Sequence, residues 1–393
     1  MLRAIDRQGG TRPLACVMGD VDLVRALGMA GIRSACVTRP GWPADRSRFT
    51  AERIEWADNW GDPERLLDNV VRFAAAMPEP PPLFFQHDGD LMFVSRHRAA
   101  LSEHVRFAIA DAELIEQCVD KTLFVVLAQR IGLPIPRSAV LWPAVQTGLP
   151  QLDLEPPLIL KPLTRRDDWW QPLAGGAKAI EVDSLDELER EWSRFAEAGV
   201  DLVVQELIPG GEERIESYHC YVDPNGDPAA EFTGRKLRTY PRRFGGTTAC
   251  VITAEHDVLE MGRDCVRRMG LTGVAKLDFK RDPSGGLHLL EVNPRFNLWH
   301  LPGAAAGVNI PAVVYADLVG LPRPSVGPVR PGVRWSVPWH DYRAAREDGT
   351  SLVRWAAWQA RCETHHNISL DDPMPFVGGM VLKRLRSRAG SGG

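Results

Sequence analysis

No apolar run in this chain reaches the roughly 20 residues that a membrane-spanning helix needs. Residues 1–10 lack the apolar centre of a secretory signal, so no leader is expected. The seven cysteines, Cys16, Cys36, Cys118, Cys220, Cys250, Cys265 and Cys362, form no C-x-x-C pair. Scattered in this way, most of them in apolar runs, they read as reduced buried thiols of a cytoplasmic protein and speak against a structural zinc site. A large excess of one sign of charge is missing as well. The net charge of −4 gives no global pull towards nucleic acid. A lone Gly19 after the first apolar strand is not G-x-G-x-x-G, which argues against a dinucleotide fingerprint there. There is no G-x-S-x-G and no Cys/His pairing, so no protein nucleophile stands out.

What is present suits a globular protein of more than one domain. The chain has 393 residues, 44% hydrophobic and 25% charged, too many for one ordinary core. Residues 14–17, 21–30 and 33–38 read as strand, helix and strand, a βαβ unit that implies a parallel sheet. A buried strand at 83–87 runs into Asp88-Gly-Asp90. Ligands of open parallel sheets gather beyond the carboxyl ends of strands. His87, Asp88 and Asp90 are therefore either substrate contacts or a plain Asp/Gly turn. The spacing predicts one helix over 111–131, with Lys121 inside it, and strands at 156–162 and 202–208. Lys161 closes the first of these strands, where a lysine must snorkel outward or meet an anion. The loop 164–177 is polar and Gly-rich, and its backbone N–H groups could face phosphates.

Residues 234–243 carry five cations, Arg235, Lys236, Arg238, Arg242 and Arg243, which form either a solvated face or an anion site. The densest pattern follows at 273–295. Residues 274–280 and 289–293 alternate apolar and polar about the turn Asp282-Pro-Ser-Gly-Gly286, the mark of a β-hairpin. Alternate side chains share a face. Lys276, Asp278 and Lys280 thus share one, and Leu289, Glu291 and Asn293 share another. A turn centred on Ser284–Gly285 sets Asp278 opposite Glu291. Asp278, Glu291 and Asn293 then offer hard oxygen ligands with open positions between them, which suits Mg²⁺. Arg295 follows the strand, where a guanidinium fork could meet a phosphoryl group.

Taken in order, Asp120-Lys121, Leu160-Lys161, Val204-Gln-Glu-Leu-Ile-Pro-Gly-Gly-Glu-Glu213, Gly234-Arg-Lys-Leu237, Leu277-Asp-Phe279 and Leu290-Glu-Val-Asn-Pro-Arg295 resemble the ATP-grasp superfamily, and within it the carboxylate–amine ligases. The match covers roughly residues 113–320. It implies an α/β (α+β) fold in three parts. These are an N-terminal parallel βαβ domain over 1–112, a two-lobed ATP-grasp domain over 113–320 with a lid at about 138–203, and a C-terminal extension over 321–393 ending in a basic tail. It implies ATP and Mg²⁺, with Mn²⁺ as a substitute. Lys121 and Lys161 would hold phosphates. Gln205, Glu206, Leu207 and Ile208 would line the adenine, and Glu213 would take the ribose. Asp278, Glu291 and Asn293 would bind the metal. Arg295 would stabilise the transferring phosphoryl group, with Arg235 and Lys236 near the γ-phosphate or the carboxylate substrate. The implied partners are small carboxylate and amine substrates, an amino acid or short peptide, without nucleic acid or membrane, and a homodimer. The loop at 164–177 departs from the family pattern of small residues, since it carries Arg165, Arg166, Trp169 and Trp170 before Gly175-Gly176. Its bulk would instead shape a substrate channel. A carboxylase that activates bicarbonate and a non-catalytic nucleotide-binding protein are the alternative readings.

Overall fold

The computed structural model describes residues 12–163, 167–175 and 179–378. Its first sheet is four-stranded and parallel, in the order β3-β2-β1-β4. The strands are β1 (Ala15–Met18), β2 (Ser34–Thr38), β3 (Thr50–Glu55) and β4 (Leu83–Phe85), with α1 (Val21–Met29) and α2 (Pro63–Ala75) as crossovers. The sequence Asp88-Gly-Asp90 is neither turn nor loop; it opens α3 (Asp88–Arg96). His87 caps that helix, and its backbone N–H donates to Asp90 Oδ2 at 3.2 Å.

After the short α4 (Arg98–Ser102), the single helix expected over 111–131 proves to be two, α5 (Ala112–Val119) and α6 (Lys121–Arg130). Asp120 causes the break. Its backbone is extended, and its carboxylate accepts the N–H groups of Thr122 and Leu123 at 2.8 and 2.9 Å. Lys121 therefore stands at a helix start instead of mid-helix.

A second, antiparallel sheet runs β5-β8-β6-β7. Its strands are β5 (Ser138–Leu141), β6 (Leu158–Pro162), β7 (Ile180–Val182) and β8 (Leu202–Glu206), backed by α7 (Asp167–Ala174) and α8 (Leu185–Glu197). It has a core of its own, in which Leu158, Leu160, Leu202 and Val204 meet Trp170, Trp192 and Phe195. Much of the segment expected as a loop is thus helix α7, and Trp170 is buried in this core instead of shaping a channel. The loop residues Arg165, Arg166 and Gly176 lie outside the described residues.

The third sheet has seven strands in the order β13-β12-β9-β10-β11-β14-β15. They are β9 (Ile215–Val222), β10 (Pro228–Tyr240), β11 (Gly246–Thr253), β12 (Gly273–Arg281), β13 (Leu287–Asn293), β14 (Arg334–Ser336) and β15 (Thr364–His365). The helix α9 (His256–Met269) covers the face that presents Tyr218, Cys220, Leu277 and Phe279. The helices α10 (His300–Ala305) and α11 (Ile310–Val319) cover the opposite face at Tyr221, Phe232 and Val274. The Trp-rich end piece, with α12 (Pro338–Glu347) and α13 (Leu352–Gln359), docks beside β10 and β11 by packing and polar contacts together. Trp335 is fully buried and donates from Nε1 to Asp22 at 3.0 Å, whereas Trp339 stays exposed. All seven cysteines are free, and five are buried. Among the described residues no helix is long and apolar enough to cross a membrane.

Gly262 on α9 is required by close approach. A Cβ there would run into the ring of Tyr218, which is fully buried and held by its hydroxyl to Glu231 at 2.7 Å. Gly262→Ala is expected to cost about 1–3 kcal/mol by overpacking. Thermal unfolding checks this, and a melting temperature equal to wild type would refute it.

Candidate active site

Residues 234–240 of the basic run belong to β10, so the neighbours Arg235 and Lys236 face opposite ways, while Arg242 and Arg243 lie beyond the strand. Lys236 is buried and points inward, and Arg235 is exposed. On the inward side, β12 presents Lys276, Asp278 and Lys280, all buried. The hairpin pairs Asp278 with Glu291 and Lys276 with Asn293, in the register that the turn predicted. One detail departs from simple alternation. The register shifts between Asp278 and Phe279, which pairs with Leu289. Leu290 is the extra residue of a β-bulge. The bulge turns Leu289 into the core and leaves Glu291 and Asn293 on the other side, so the face expected to be shared by Leu289, Glu291 and Asn293 is broken.

These strands, β6 and β8 of the second sheet, and the starts of α3 and α6 enclose a cavity of about 830 Å³. Its walls include Lys121, Lys161, Gln205, Glu206, Leu207, Ile208, Glu212, Lys236, Asp278, Lys280, Glu291 and Asn293. Asp278 is the electrostatic centre. Its Oδ2 accepts from Lys276 Nζ at 2.7 Å and Lys236 Nζ at 3.1 Å, and its Oδ1 accepts from the Ser217 hydroxyl. Burial alone would raise its pKa, but the two ammonium groups outweigh burial and hold the carboxyl well below the usual range. Burial also acts against Lys236, yet Asp278 and Glu291 overcome it and raise that pKa. Burial dominates at Lys161 and Lys276 and lowers both. Lys161 donates to Gln205 Oε1 at 3.1 Å, and Lys121 to the Pro162 carbonyl at 3.1 Å.

The residues 201–338 match the family model described as "ATP-grasp in the biosynthetic pathway with Ter operon". The chain is 26% identical over 240 residues to D-aspartate ligase of Enterococcus faecium, covering 59% of this chain and 57% of that protein. It is 27% identical over 200 residues to D-alanine–D-alanine ligase of Ectopseudomonas mendocina, covering 48% and 60%. The chain thus spans less than two thirds of these curated relatives. Among solved structures, N5-carboxyaminoimidazole ribonucleotide synthetase bound to ADP superposes with a TM-score of 0.62 at 14% identity, covering 86% of this chain and 87% of that one. L-amino acid ligase from Bacillus licheniformis does so at 0.59 and 17%, covering 82% and 78%. Over residues 201–338 this chain is thus similar to the ATP-grasp family, and its fold is that of these solved structures.

Three residues expected at the ATP-grasp site stand off the cavity wall. Arg235 points away because Lys236, its neighbour on the strand, points in. Glu213 folds its carboxylate back against Gly211, leaving Glu212 on the wall. Arg295 has its donors committed. It gives Nε to Asp88 Oδ1 at 2.6 Å, Nη1 to the Gln86 carbonyl at 2.9 Å and Nη2 to Asn293 Oδ1 at 3.2 Å. It ties the hairpin to the first sheet. The Glu206 carboxylate likewise turns outward, accepting from the Glu155 N–H at 2.9 Å and facing Arg137. Lys276 and Ser217 had no expected role. The alternation that placed Lys276 beside Asp278 was the available signal for the lysine; Ser217 enters only through the pairing of β9 with β12.

No group of three His, Cys, Asp or Glu among the described residues could hold a metal ion. A cage made by protein alone is therefore not what these residues offer. Two carboxylates and an amide fit a magnesium ion that takes the rest of its shell from phosphate and water.

Proposed function

We propose that the chain is an ATP-dependent ligase that joins a carboxylate to an amine through an acyl phosphate, releasing ADP and phosphate. The carrying observation is the paired Asp278 and Glu291 on a cavity whose other walls supply Lys121, Lys161, Lys236 and Lys280. On this reading the Glu206–Ile208 end takes the adenine, and Lys121 and Lys161 take phosphates. Glu212, on the wall, is the candidate for the ribose in place of Glu213. Asp278, Glu291 and Asn293 would hold Mg²⁺, which when bound offsets triphosphate charge. Lys236 faces the phosphoryl group in transfer, and Lys276, off the cavity wall, holds the Asp278 carboxylate in place. There positive charge already fixed in a buried site counts most, because it needs no reorganisation as charge builds on the equatorial oxygens. Arg295 holds Asn293 in place. The substrate carboxylate attacks the γ-phosphorus, ADP leaves, the amine attacks the acyl carbon, and phosphate departs. The small sheet, with its separate core, acts as the lid over residues 138–203 that keeps water from the acyl phosphate. It is part of an ATP-grasp domain over 113–320, between the domain of residues 1–112 and the extension 321–393.

The test is a screen of amino acids and other small acids and amines for ATP-dependent phosphate release, with mass spectrometry of the products. Release that needs both an acid and an amine, and no bicarbonate, supports the ligase. Release driven by bicarbonate would make it a carboxylase. ATP binding without turnover on any acceptor would leave a nucleotide-binding protein.

A further inference from the structure

The nucleotide reading leaves part of the cavity lining unused: Trp60, Met92, Arg96, Val119 and Leu123. Trp60 is 59% exposed, Leu123 44% and Val119 39%, so the lining includes open apolar surface. Such surface gathered in a concave site is what a ligand usually covers. The tryptophan is not on a loose loop. Asp58 accepts the backbone N–H groups of Trp60 at 3.0 Å and Gly61 at 2.7 Å. Asn59 donates to the buried Asp90 at 3.0 Å, which bolts the loop to the start of α3. Gly89 is needed there, because a Cβ would collide with the Asn59 amide. The loop is anchored on both sides of a side chain that is itself left open. The Arg96 guanidinium lies 5.2 Å from the Trp60 ring centroid. It is exposed and makes no hydrogen bond or ion pair among the described residues. An aromatic face beside a cation with free N–H groups suits a planar group that carries an anion.

We infer that this part of the cavity is the subsite for the amine substrate, and that this substrate is an aromatic α-amino acid. Its ring stacks on Trp60 and its carboxylate pairs with Arg96. The choice between acid and amine follows from the chemistry. A simple amino acid that gives its carboxylate to the acyl phosphate has none left for Arg96, whereas one that reacts through nitrogen keeps it. This inference rests on the ligase reading and names one of its two substrates.

Calorimetric titration of the full chain with phenylalanine, phenylethylamine and alanine tests it without turnover, in the presence of a non-hydrolysable ATP analogue. Phenylalanine is expected to bind at least about tenfold more tightly than either of the others. Trp60→Ala should erase the preference over alanine, and Trp60→Phe should keep most of it. Arg96→Gln should erase the preference over phenylethylamine. In turnover, Trp60→Ala should cut the ratio of kcat/KM for phenylalanine against alanine about tenfold. Equal binding of phenylalanine and alanine, or a preference that survives Trp60→Ala, overturns the subsite. Trp60-dependent binding with no turnover on any acid would uphold the subsite and sink the ligase reading alone.

Discussion

Glu291→Ala is expected to lower ATP-dependent phosphate release by about 10²- to 10³-fold while leaving the melting temperature unchanged. The two halves of that result have different causes. Glu291 lies exposed on the cavity wall and makes no hydrogen bond or ion pair among the described residues. Removing it breaks no hydrogen bond or ion pair, and Lys236 keeps Asp278, so the fold should change little. The chemistry should notice, because Glu291 is the carboxylate opposite Asp278 that is free of lysine contacts. Asp278 shares its oxygens with Lys236, Lys276 and Ser217, so it can supply its own ligand position but not that of Glu291 as well. Phosphate release and a thermal melt on the same preparation make the measurement. Wild-type turnover in the variant would remove the magnesium assignment and with it the proposed alignment of the triphosphate.

Asp341→Ala should have the largest effect on stability, about 3–5 kcal/mol, because it breaks a buried ion pair by removing one partner only. Asp341 is fully buried on α12. It accepts both Nε and Nη2 of Arg238, at 2.7 and 2.8 Å, together with Trp355 Nε1 at 3.0 Å, Gln359 Nε2 at 2.9 Å and the Thr248 hydroxyl at 3.2 Å. One carboxylate thus joins α12 and α13 to β10 and β11. The alanine variant leaves the guanidinium of Arg238 without its anion beneath Trp358, 4.3 Å from the ring centroid. Equilibrium urea unfolding reads the loss as a lower midpoint. The exposed pair Arg48–Asp371 is the control, and Asp371→Ala should stay within about 1 kcal/mol. A wild-type midpoint for Asp341→Ala would mean that the end piece is not held by this node.

Much of the site was legible before any coordinates. The hairpin follows from alternation and a turn at Asp282–Gly286, both local in sequence. Counting outward from that turn pairs Asp278 with Glu291, but the pairs nearer the turn, such as Arg281 with Leu287, are one residue out of that count and the bulge at Leu290 restores it. Three features were not legible. Asp120 splits a continuous helical pattern because its side chain captures two N–H groups, a competition between cap and helix that periodicity does not register. The cations of 234–243 sort into inward Lys236 and outward Arg235 only once the segment is known to be strand. The bulge at Leu290 reverses the face of Leu289 relative to Glu291, and it depends on how β13 meets β12.

The sequence by itself determined the elements that depend on near neighbours: strand parity, turns and caps, and hence which oxygen-bearing side chains share a hairpin. Tertiary structure alone decided how the charges are shared out. Lys236 reaches Asp278 across the intervening strand β9, and Arg295 is consumed by Asp88, 207 residues away in sequence. An ion pair forms or fails on a few ångströms of separation and on how much water is excluded. Neither quantity is written in the spacing of residues along a chain.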